Sequence, residues 1–91
     1  MIRERLGKQH AETIALDGLA FLAARPDDLE RFLKLSGLDV PELKRRAGDP
    51  DMLRAVLDYL LADDALVTGF CAEAALEAKD LHRAQHVLSE S

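Results

Sequence analysis

Apolar residues recur along this chain at three- and four-residue intervals, in blocks divided by short polar breaks, and no block alternates as a strand would. From Ile14 to Ala24 only Asp17 is polar. The pattern predicts a first helix that starts within the charged residues 2–10, runs to about Ala24 and lies buried at the centre of the fold. Gly18 inside it marks a close approach of another helix, because a mid-helix glycine otherwise costs about 1 kcal/mol. A second helix opens at Pro26, a favoured first helical position, with Asp27 and Asp28 facing the positive end of the dipole. Its apolar face is Leu29, Phe32, Leu33 and Leu35. Gly37 reads as its left-handed terminator, with Leu38 folding back toward Leu33. Asp39 caps a short third helix, with Glu42 completing a capping box, and that helix is expected to end at Gly48.

Asp49-Pro50 opens a fourth helix carrying Leu53, Val56, Leu57, Leu60 and Leu61. Asp63-Asp64 marks a break before a fifth, from about Ala65 to Ala74. Ala75 stands where the first half has Gly37, so a terminator is missing there, and Leu76-Glu77 is expected to be a kink. The last helix carries Leu81, Val87 and Leu88 and frays over residues 89–91.

The two halves match at an offset of 38 residues. All four aromatics pair at that spacing, Phe21 with Tyr59 and Phe32 with Phe70. Residues 16–47 set against 54–85 share 7 identities in 32 positions, including Leu19/Leu57, Leu22/Leu60, Leu38/Leu76 and Arg45/Arg83. The reading is a tandem duplication of a helix, helix, short-helix unit, about residues 14–48 and 52–88. The expected fold is all-α: a compact bundle of about six short helices forming one domain over residues 1–91. If the units pack symmetrically, the seam between them is the expected binding groove.

Composition narrows the function without naming it. The 91 residues are 48% hydrophobic and 32% charged, which suits a folded helical domain and excludes disorder. A net charge of −5 repels nucleic acid and anionic lipid. Cys71 is the only cysteine, so no intramolecular disulfide can form and a reducing cytoplasm is expected. Asp17 interrupts the early apolar run, and the run recurs at residues 52–62. No signal peptide is expected there, and no run approaches the roughly 20 apolar residues of a membrane span.

Chemistry-bearing residues are scattered. Asp17 and Asp58 stand on otherwise apolar helices and are expected to pair with Arg25, Arg54 or nearby backbone. His82 and His86 share a helical face, but two residues make only half a metal site. Cys71 aligns with Leu33 and reads as a core filler. No phosphate-cradling loop, triad or carboxylate pair appears, so no enzyme, metal or cofactor is expected. Lys44, Arg45 and Arg46 form the strongest basic cluster, with Arg3, Arg5 and Lys8 second. Residues 32–46 resemble a helix-turn-helix, which would make residues 40–47 a recognition helix with Lys44, Arg45 and Arg46 on phosphate. Pro41 and Glu42 occupy the positions that should reach bases, and Asp39 would face phosphate.

Phe21-Leu22-Ala23 followed by Pro26, the run from Arg31 to Leu38, and the run from Leu57 to Asp64 resemble a family of small alphaproteobacterial proteins, domain of unknown function 3572. The resemblance spans about residues 14–88. It implies a bacterial cytosolic protein of the same helical type and carries no catalytic or binding residues with it. The leading expectation is a non-catalytic protein-interaction or adaptor module with an unidentified protein partner, homodimerisation being a variant. The alternative is a nucleic-acid-binding regulator working through residues 40–46.

Overall fold

A computed structural model of the chain describes residues 7–90. Six α-helices and no strands occur among them: α1 (Lys8–Ala23), α2 (Pro26–Ser36), α3 (Val40–Arg45), α4 (Pro50–Leu61), α5 (Asp64–Ala74) and α6 (Ala78–Ser89). The all-α bundle expected from the pattern is what the chain forms. Arg3, Arg5 and Ser91 lie outside the described residues.

Helix starts follow local chemistry. Prolines open α2 and α4 and stand near the start of α3, where their missing N–H would have had no intrahelical acceptor. Asp39 accepts the Glu42 amide at 2.9 Å, Asp49 that of Asp51 at 2.9 Å, and Asp63 those of Ala65 and Leu66 at 2.9 and 3.4 Å. The capping box at α3 is only half made: the Glu42 carboxylate pairs with Arg45 instead of returning to the cap. With Asp63 as its cap, α5 begins at Asp64, one residue before the expected start. α3 stops at Arg45 instead of reaching Gly48, because Asp49 and Pro50 already set up α4.

The turn after α5 corrects the sequence reading. Ala75 adopts φ 58° and ψ 42°, the left-handed conformation that Gly37 adopts at φ 71°. The amide of Leu76 then donates to the Cys71 carbonyl at 3.0 Å, as that of Leu38 donates to Leu33 at 3.0 Å. A terminator is therefore present without a glycine, and 75–77 is a turn and not a kink. Both Leu38 and Leu76 are drawn partly into the core by this fold-back.

The core is one apolar cluster contributed by all six helices. α1 packs against α4 and α6, and α4 packs against α6. α2 lies on α1 and α4, and α5 lies on α4 and α1. The approach of α1 to α4 depends on Gly18: a Cβ there would stand 2.8 Å from Leu60 Cδ1 and 3.5 Å from Val56 Cγ1. Burying Phe32, Phe70, Leu22, Leu53, Leu57, Leu60 and Leu81 supplies roughly 1.5–3 kcal/mol apiece. α1 is central but not buried all round. Ala11, Ile14, Ala15, Gly18, Phe21 and Leu22 face the core, while Leu16, Asp17, Ala20, Ala23 and Ala24 form an exposed face.

Candidate functional site

The seven-residue spacing of small and aromatic side chains on α1 makes one wall of a shallow cleft. Asp17, Ala20, Phe21 and Ala24 follow each other at i, i+3, i+4 and i+7, so they share one helical face. Phe70, Glu73 and Ala74 form the opposite wall from α5. The cleft encloses about 370 Å³. Its floor is Phe21 against Phe70, with ring centroids 5.5 Å apart and planes tilted by 53°. Three alanines keep it open, and two carboxylates, Asp17 and Glu73, supply its charge. Neither carboxylate makes an ion pair or hydrogen bond among the described residues. Arg25 lies with its guanidinium 4.4 Å from the Phe21 ring centroid.

A second cleft, of about 270 Å³, runs between α4 and α2. Ala55, Asp58, Tyr59 and Ala62 line it from α4, and Phe32, Leu35 and Ser36 from α2. Its floor is Phe32 against Tyr59, centroids again 5.5 Å apart, edge to face at 66°. The Tyr59 hydroxyl is buried without a hydrogen-bond partner among the described residues. Leu35 is 74% exposed and also borders an adjoining cleft lined by Leu38, Arg46, Asp51 and Met52.

The residues singled out in the sequence fall in different places. Asp17 and Asp58 are both exposed, so neither is a buried carboxylate, and they lie in separate clefts. Asp58 accepts a hydrogen bond from Gln85 Nε2 at 3.0 Å, and neither aspartate pairs with Arg25 or Arg54. Lys44 is exposed on α3 and unpaired among the described residues. Arg45 pairs with Glu42, and Arg46 with Asp49 at 3.6 Å. His82 and His86 are exposed on α6, and His86 Nε2 lies 3.0 Å from Glu90 Oε2. No group of three His, Cys, Asp or Glu side chains stands ready to hold a metal among the described residues. Cys71 is half-buried on α5; burial first, and the negative charge of Asp80 second, push its thiol pKa up and hold it protonated.

Glu73, Ala20 and Ala24 were not singled out by their sequence context. The 38-residue alignment sets Glu73 against Leu35 and Asp17 against Ala55, but only the packing shows that Asp17 faces Glu73 across one cleft and Ala55 faces Leu35 across the other. No described helix is long and apolar enough to cross a membrane. No curated protein and no solved structure matches the chain. A family model described as protein of unknown function (DUF3572) matches residues 8–91, and over that length the chain belongs to this family.

Proposed function

We propose that the chain is a non-catalytic protein-interaction module, built as two tandem copies of a 38-residue helical unit, that takes its partner in the clefts where the copies meet. One observation carries the reading. Every residue lining the first cleft has its counterpart in the second at a separation of 38: Asp17 and Ala55, Ala20 and Asp58, Phe21 and Tyr59, Ala24 and Ala62, Phe70 and Phe32, Glu73 and Leu35, Ala74 and Ser36. The exchange is crossed. The first cleft joins the leading helix of unit one to the second helix of unit two, and the second cleft joins the leading helix of unit two to the second helix of unit one. An approximate twofold between duplicated units produces that relation.

Other features support it. α2 and α5 each have 11 residues and begin 38 apart, and their terminating turns make the same hydrogen bond. The clefts are open, apolar-floored and walled by helices, which is the form taken by grooves that receive helical peptides. Their polar groups offer no nucleophile beside a base, which favours binding over catalysis. The nucleic-acid alternative draws less support, since Arg45 and Arg46 already face acids and α3 has only six residues. A cytosolic setting, with only Cys71 for disulfide chemistry, completes the proposal.

Photo-crosslinking residues placed in turn at Ala20, Ala55 and Lys44, in the cells that make the protein, test it. The expected result is a discrete protein adduct from Ala20 or Ala55 and none from Lys44. Adducts from Lys44 alone, or adducts to nucleic acid, would overturn it.

A further inference from the structure

The two clefts share one architecture and differ in charge in a consistent direction. Where the α4/α2 cleft has Ala55 and Leu35, the α1/α5 cleft has Asp17 and Glu73, one carboxylate on each wall. The acid that the α4/α2 cleft does carry, Asp58, is engaged by Gln85. Asp17 and Glu73 are exposed and bonded to nothing among the described residues, and Arg25 over the Phe21 ring forms an ion pair with neither.

Resting on the proposed interaction-module reading, we infer that the α1/α5 cleft binds a basic amphipathic segment of a partner protein. An apolar anchor of that segment seats on the Phe21–Phe70 floor, and a lysine or arginine one helical turn away lies between Asp17 and Glu73. Charge complementarity selects this occupant: against the cation at its edge, Arg25 over Phe21, the two carboxylates leave the cleft net negative, which disfavours nucleic acid, anionic lipid and acidic peptides alike. The small walls at Ala20, Ala24 and Ala74 let a helix approach closely. The cleft volume of about 370 Å³ sits at the low end for small-molecule pockets, roughly 300–1,000 Å³, and the site is shallow. It suits a pair of anchoring side chains better than an enclosed ligand.

The test is selection of a random short-peptide display library on the whole chain, followed by amide chemical-shift mapping of the enriched peptides. The expected peptides carry net positive charge beside apolar residues and perturb Ala20, Phe21 and Glu73. Asp17→Asn with Glu73→Gln should weaken them about tenfold, equal to about 1.4 kcal/mol, in keeping with two exposed ion pairs. Leu35→Glu in the opposite cleft should leave them unchanged. Both acids are exposed and make no bond among the described residues, so the double variant should fold, which circular dichroism checks. Uncharged or acidic peptides that map to the α4/α2 cleft would overturn this inference while sparing the groove reading. So would basic peptides indifferent to the double variant. Enrichment of no peptide at either cleft would overturn both.

Discussion

Ala75 and Gly37 end α5 and α2 in the same left-handed conformation, yet only one is glycine. Exchanging them isolates the cost of that conformation. An L-residue there is disfavoured by roughly 1–2 kcal/mol, because its Cβ crowds the following carbonyl. Replacing Ala75 by glycine removes the crowding and sacrifices no packing, since the side chain is exposed. The glycine in turn gives the unfolded chain more freedom, which returns about 0.4–1 kcal/mol. Ala75→Gly should therefore stabilise the protein by about 0.5–1 kcal/mol, raising the melting temperature by roughly 2–8 °C for a domain of this size. Gly37→Ala should destabilise it by a similar amount. A Cβ at Gly37 meets nothing within 4 Å, so its penalty is confined to the backbone. The double exchange should return the stability close to that of the parent, as independent sites do. Urea unfolding followed by circular dichroism reads all three, with an unchanged slope confirming that the midpoint reports stability. A destabilised Ala75→Gly, or a Gly37→Ala without cost, would refute the reasoning and mean that contacts of Leu76 and Leu38, not backbone strain, govern these turns.

Asp63 accepts two backbone amides at the start of α5, so Asp63→Ala should cost about 1 kcal/mol in urea unfolding, with Asp63→Asn recovering most of it. Gly18→Val should cost about 1–3 kcal/mol in the same assay, because its Cβ would press on Leu60, which is wholly buried and has no free side to turn to. The raised Cys71 pKa means that the unfolded chain releases this proton first as pH climbs past 9.0, so the native state then binds more protons and stability falls with rising pH. Stability measured from pH 8 upward should lose part of that decline in Cys71→Ala. An identical pH profile for the variant would remove Cys71 as its source.

Much of the fold was legible because its punctuation is local. Pro26, Pro50, Asp39, Asp49 and Gly37 act through backbone groups within four residues, so the starts of α2, α3 and α4 and the end of α2 could be read directly. The turn at Ala75 could not. Alanine favours continued helix, and what overrides it is the drawing of Leu76 into the core, a tertiary effect. The exposed side of α1 was hidden for a related reason: Ala20, Ala23 and Ala24 are apolar but small, and leaving them in water costs little, so composition alone could not distinguish a buried helix from a half-buried one. The clefts were half legible. On the duplication reading the 38-residue offset paired the floor aromatics, Phe21 with Tyr59 and Phe32 with Phe70, but the crossed packing that sets α1 beside α5 was not in the pattern.

On the duplication reading, the twofold holds for the first two helices of each unit and fails at the third, for a reason of chain connectivity. α3 and α6 begin 38 residues apart, but α6 continues for 12 residues where α3 stops after six. The residues of α6 that bury its length on α1 and α4 are Leu81, Ala84 and Leu88. Their counterparts in the first unit are Leu43, Arg46 and Pro50. Leu43 is buried, but Arg46 turns to Asp49 and Pro50 is already the first residue of α4. The first unit cannot extend its third helix without consuming the start of the second unit's leading helix. On that reading the third helix extends in the second copy, and α6, the longer of the two, packs along α1 and α4. Gln85 on that helix reaches Asp58, which engages one cleft's acid, while Asp17 and Glu73 in the other make no bond among the described residues. On that reading the asymmetry that makes the clefts chemically unlike has two sources: substitutions at paired positions, and a third helix that is longer in the second copy than in the first.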